Sequence, residues 1–137
     1  MKPHWVKYKE ERTNAIVIED EYGFASACEL DDWFYIENVY VVPEKRLENN
    51  GTKYIAKLID IAQELGYKKV LGSVCVGTKG ATSNLHRMLS IGFELAWNKG
   101  NMIYIKGVLN DDAKWVKWTR HHAEYAETEL SEDNITK

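Results

Sequence analysis

The clearest chemical signal in the chain is the run Arg46-Leu47-Glu48-Asn49-Asn50-Gly51-Thr52. An apolar, β-rich run at residues 33–42 precedes it, and a helix-period pattern follows from residue 52. A polar turn between a strand and a helix gathers backbone N–H groups that lack intrahelical acceptors, and the helix dipole adds partial positive charge there. Such a turn binds anions, phosphate above all, so a phosphate-bearing ligand is the first expectation. The other chemistry-bearing residues argue for little else. Gly77-Thr78-Lys79-Gly80 lacks the spacing of a nucleotide-binding P-loop. His121 and His122 are adjacent, so their rings diverge on a helix, and no metal site is expected. Cys28 and Cys75 lie in apolar runs and read as buried, reduced thiols. Asp31-Asp32 suits a turn.

The elements around these residues follow from hydrophobic period and turn chemistry. Alternation predicts short strands at residues 5–8, 15–19 and 24–30, with a Gly-containing turn at 20–23. The longest strand, 33–42, stops at Pro43. Tyr54, Ile55, Leu58, Ala62 and Leu65 share one helical face over residues 52–65, with Lys53 off it, and Gly66 ends the helix. Residues 70–76 form a continuous apolar run that suits a buried central strand parallel to 33–42. A second helix is predicted over 81–90 with Leu85, Met88 and Leu89 facing inward, then a hairpin of 93–97 with 102–106. Asn110-Asp111-Asp112 caps a last helix whose Trp115, Trp118, His122 and Tyr125 fall on one face.

At 137 residues the length predicts a single domain over 1–107, an aromatic-rich helix over 108–130 and a flexible tail over 131–137. A net charge of −3 excludes the basic footprint of a general nucleic-acid binder. No apolar run is long enough to span a membrane, and residues 1–10 lack the apolar centre of a secretory leader, so a cytoplasmic chain is expected. Five Trp and eight Tyr are many for this length and point to an interface or binding groove.

The element order and three local motifs resemble the GNAT superfamily of acyl-CoA-dependent N-acyltransferases over residues 15–106. The first motif is Arg46, two intervening residues, and then Asn49-Asn50-Gly51, with Pro43 ahead of it. Asn49 replaces the family's first Gly, and Asn is the next best residue at tolerating left-handed backbone. The second is Glu37, four residues before Val41. The third is Ser90-Ile91-Gly92-Phe93 after the second helix.

The resemblance implies an α/β fold, with a mixed and mostly antiparallel sheet whose central parallel pair splays at 41–42 and 74–76. It implies acetyl-CoA as acyl donor, with pyrophosphate held by Arg46, Leu47, Glu48, Asn49, Asn50, Gly51 and Thr52. Pantetheine would run along Tyr40, Val41 and Val42, with an amide near Val42 facing the oxyanion. Glu37 would be the general base that relieves an amine of its proton before direct attack. Met88 stands where family members carry a tyrosine acid, and a thioether donates no proton; His86 and Tyr104 are the alternative donors. The family's two helices between its first strands are absent. The C-terminal helix is then expected either to replace that acceptor wall or to join two copies as a homodimer. Acetyl transfer to a primary amine is the leading functional expectation. The alternative is a GNAT-fold module without catalysis that acts through protein contacts, as some short phage-encoded proteins look to be.

Overall fold

The meander, the strand–helix–strand unit and the final hairpin all form, but the chain enters them through a helix. The computed structural model describes residues 3–46, 48–125 and 135–136. Residues 5–8, expected as a strand, belong to α1, His4–Thr13. Four alternating residues fit either period, and Lys7, Lys9, Glu11 and Arg12 are better suited to a helix. Asn14 ends α1 in left-handed backbone at φ 55°. Val6 anchors α1 against Ala15 and Val17 on one face of the sheet.

Strands β1 (Ile16–Asp20), β2 (Gly23–Leu30) and β3 (Trp33–Val41) form an antiparallel meander. Gly23 is required at its first turn, because a Cβ there would lie 1.9 Å from Tyr40 O. A short turn, Pro43–Lys45, leads towards α2 (Asn50–Glu64) and then β4 (Lys69–Cys75). Next come α3 (Ala81–Ser90), the hairpin β5 (Glu94–Lys99) and β6 (Met102–Val108), α4 (Lys114–Ala123) and β7 (Ile135–Thr136). The sheet order is β5-β6-β4-β3-β2-β1-β7. Every neighbouring pair is antiparallel except β3 with β4. This is the mixed α/β sheet with a central parallel pair that the resemblance implies.

The main core lies on the face opposite α1. There Ile16, Ile18, Ala25, Ala27, Phe34 and Val70 meet Tyr54, Leu58, Ile59 and Ala62 of α2 and Trp115 and Val116 of α4. Lys53, expected off the apolar stripe, is buried, with its Nζ 2.7 Å from Asp20 Oδ2. Leu65 falls past the helix end and is exposed, as is Leu89 of α3, while Leu85 and Met88 pack on the core. Cys75 is exposed rather than buried.

Trp115 packs at a tilt 4.7 Å from Phe93 and donates from Nε1 to Val108 O at 2.7 Å. Arg120 ties α4 to α2 through Asp60 (3.1 Å) and Gln63 (2.6 Å). The aromatic helix therefore closes the domain's own core. Residues 126–134 and 137, which hold the expected helix end and most of the expected tail, lie outside the described residues.

Candidate active site

Register decides the site. Across β2 and β3 the pairs run Ala27↔Ile36 and then Ser26↔Asn38, so Glu37 is an extra residue in β3, a β-bulge. A bulge bends its strand and re-aims side chains. Here it turns Glu37 and Asn38 to the same face. Glu37 accepts a hydrogen bond from Lys9 Nζ of α1, with Cys28 Sγ at 4.0 Å, and Asn38 Nδ2 donates to Ser26 Oγ at 3.1 Å. Beyond the bulge the phase is reversed. Val39 and Val41 face the first turn of α2, where a Cβ added to Gly51 would lie 3.4 Å from Val39 Cγ1 and 3.7 Å from Val41 Cγ2.

The parallel pairing of β3 with β4 covers only Phe34↔Val70 and Tyr35↔Leu71. From Ile36 and Gly72 onward the two strands diverge, so the splay opens earlier than at 41–42 and 74–76. Val42 N donates to Tyr22 O at 2.8 Å. Opposite residues in an antiparallel ladder alternate between bonded and non-bonded pairs. Tyr40 and Val42 are therefore engaged by β2, and the backbone groups of Val39 and Val41 point into the splay. Arg46 Nε reaches in and donates to Val41 O at 2.9 Å, and its guanidinium lies 5.7 Å from the Tyr40 ring centre.

The loop joins this edge to α2. Asn49 is left-handed at φ 64°, the conformation a glycine would take most easily. The first amide bonded within the helix is Lys53 N to Asn49 O, at 2.9 Å. The N–H groups of Asn50, Gly51 and Thr52 precede that bond and lie at the positive end of the helix dipole. Asn50 is buried and holds the loop by donating to Lys45 O at 3.0 Å. Glu48 is exposed, and Leu47 lies outside the described residues. Below this turn, Asp20 accepts from Lys53 and from Tyr54 Oη. Burial pulls the Asp20 carboxyl up, and the bonds from Lys53, Tyr54 and Tyr22 N more than reverse it, leaving it below the ordinary aspartate range. Tyr54 is pushed well above the usual phenol value by burial and by Asp20.

Tyr35, Ser73 and Trp97, which the sequence did not single out, belong to the Glu37 face together with Tyr104 and Cys28, which it did. Tyr35 and Ser73 join their hydroxyls at 2.9 Å across the mouth of the splay. Burial, chiefly, pushes the Tyr35 phenol up, so it stays protonated and can donate. Tyr104 lies 6.4 Å from Tyr35 and stacks on Trp97 at 4.7 Å, so that the three rings form a shelf running from Glu37 to the sheet edge. Cys28 beside Glu37 is held as a thiol by burial and then by the carboxylate, which argues against a thiolate nucleophile. The alternation Tyr35-x-Glu37 was the available signal for Tyr35; nothing in the sequence pointed to Lys9. Met88 packs against the core, and His86 is exposed on α3.

A separate cleft of about 670 Å³ lies at the opposite end of β3 and β4, lined by Glu29, Asp32, Tyr67, Lys68 and Lys69 among others. Tyr67 donates to Glu29 at 2.6 Å, and that bond first, then burial, pushes its phenol up to about 12. Its mixed charge and its distance along the strands from the splay set it apart from the site above.

No protein-family model and no curated protein matches the sequence. Solved structures do match. One is a PaiA N-acetyltransferase from Thermoplasma acidophilum in complex with coenzyme A: 13% identity, TM-score 0.59, covering 75% of this chain and 65% of that one. A nourseothricin acetyltransferase matches at 20% identity and TM-score 0.52, covering 65% of this chain and 58% of that one. A GNAT family acetyltransferase from Elizabethkingia anophelis with acetyl-CoA bound matches at 15% identity and TM-score 0.57, covering 79% and 84%. The chain thus spans less than two thirds of the length of the first two. It has the fold of GNAT acetyltransferases.

Proposed function

We propose that the chain binds acetyl-CoA and passes its acetyl group to a primary amine by direct attack. The observation that carries this reading is the bulge at Glu37 together with the splay beside it, on the fold of known acetyltransferases. The amides of Asn50, Gly51 and Thr52 would hold the pyrophosphate, with Arg46 beside it. The splay-facing backbone of Val39 and Val41 would pair with the pantetheine amides as an added strand would, once Arg46 Nε yields Val41 O, in place of the edge at Tyr40 and Val42. Acetyl-CoA supplies a thioester whose carbonyl carbon accepts the amine nitrogen.

Glu37 would take the proton that an alkylammonium, with a pKa of about 10 in water, must give up before it attacks. Tyr35 would donate a proton at the same face in place of the missing tyrosine acid. The shelf of Tyr35, Tyr104 and Trp97 suits a cationic acceptor, because ammonium groups rest favourably over aromatic faces. A homodimer through α4 forms no part of this reading, since Trp115 is already engaged in the core. Among the described residues no helix is long and apolar enough to cross a membrane.

Calorimetric titration with acetyl-CoA tests the proposal. Micromolar binding is expected in the parent and its loss in Gly51→Glu. The backbone at Gly51 accepts a side chain at ordinary contact distance, and a carboxylate there favours the helix N-terminus while repelling phosphate. No binding to the parent at millimolar acetyl-CoA would sink the reading. It would leave a second one, favoured by the core-packed Met88: a GNAT-fold module that has dropped the chemistry.

A further inference from the structure

We propose that Lys9 is an acetylation site of this chain, modified by the chain's own active site; the proposal rests on the acetyl-CoA reading above. Lys9 of α1 reaches Glu37, and its Nζ donates directly to Glu37 Oε1. Both side chains are half-buried, at 24% and 30% exposure, so the pair is held inside the face and not on open surface. Around it stand Cys28, Asn38 and, one register step away, Tyr35, at the point where β3 leaves β4. A primary alkylamine therefore rests on the carboxylate that would serve as base, on the face an acceptor would use. α1 tethers it there, and tethering replaces a bimolecular encounter with a unimolecular one.

The step balances with acetyl-CoA alone. The Lys9 ammonium passes one proton to the Glu37 carboxylate, and the freed nitrogen attacks the thioester carbonyl carbon. The C–N bond forms and the C–S bond breaks. The second proton on nitrogen goes to the departing thiolate, and the third stays on the amide. Glu37 returns its proton to solvent. Acetyl-lysine carries no charge, so the ion pair with Glu37 is lost. The reaction runs once per chain and leaves the carboxylate open to an external amine.

The full chain is incubated with acetyl-CoA at neutral pH, and the products are read by intact mass and peptide mapping over time. One acetyl group on Lys9 is expected, forming well ahead of exposed Lys7 and Lys68, which report uncatalysed background. The rate per chain should not change on about tenfold dilution of the protein, as a unimolecular step requires. Lys9→Arg keeps the charge pair but removes the nucleophile and should abolish the modification. Glu37→Gln should slow it by at least about tenfold. Acetyl-CoA binding is measured on the same samples. No binding would sink the acetyl-CoA reading itself. Binding with Lys9 at background, or a rate that rises with protein concentration, would overturn this inference alone.

Discussion

Glu37 owes its place to a single extra residue. Without the bulge, strand alternation would put residue 37 on the face of Tyr35 but would leave Val39 and Val41 there too, away from α2. With it, the carboxylate stays beside Cys28 and Lys9 while the next two valines turn to the loop. The Glu37 carboxylate and the splay-facing edge that begins at Val39 are thus two residues apart, and the side chains of Glu37 and Val39 lie on opposite faces. If Glu37 accepts the proton, Glu37→Gln should lower acetyl transfer to an added amine by about 10²–10⁴ and leave acetyl-CoA affinity unchanged. Equal turnover in the two proteins, read by thiol release, would remove Glu37 from the mechanism. In the sequence only the family resemblance, which sets a Glu four residues before Val41, pointed to Glu37. Lys9 escaped because its partner is twenty-eight positions away, and Tyr35 because a tyrosine in an apolar strand reads first as core.

At the scale of elements, the loop before α2 is only as firm as that helix's first turn, and Asp20 at the end of β1 holds the turn through Lys53 and Tyr54. The side chains of Lys53 and Asp20 are only 7% and 11% exposed, and removing one partner of a buried pair strands the other's charge, at a cost of about 3 kcal/mol. Asp20→Asn should lower stability by that order at neutral pH, read by urea unfolding. Because the folded carboxyl lies below its ordinary value, its contribution is complete above the unfolded aspartate pKa of about 4 and is lost as the pH falls through the folded one. The two proteins' stabilities should therefore converge in acid; a constant gap would show that the carboxylate's charge is not what holds α2. The helix itself was legible from its period, and Asn49 from its tolerance of left-handed backbone. The role of Lys53 was not, because a helical pattern assigns lysine to solvent and cannot foresee a carboxylate waiting below. Residues 5–8 read as a strand because four alternating residues fit both periods; the helix formers that follow and the packing of Val6 on Val17 decide for the helix.

Over the whole molecule, helices cover both faces of one sheet, with α1 on the side of Glu37 and α2 and α4 on the other. The spacing of Trp115, Trp118, His122 and Tyr125 was plain in the sequence, but spacing does not say what a stripe meets. Trp115 meets Phe93 and the bare Cα of Gly107, where a Cβ would come within 2.8 Å of its Nε1. Trp118 stacks on His122 at 4.1 Å, and Tyr125 is exposed. The inner end of the stripe is thus core, and only the outer end is surface. Trp115→Ala removes a buried indole and its hydrogen bond to Val108 O, which should cost about 3–5 kcal/mol. If α4 belongs to the domain's own core, that loss is the same at every protein concentration, because unfolding involves one chain. A loss that shrank on dilution would mean that Trp115 stabilises an association between chains. Denaturant unfolding of the parent and the variant over a wide range of protein concentration distinguishes the two.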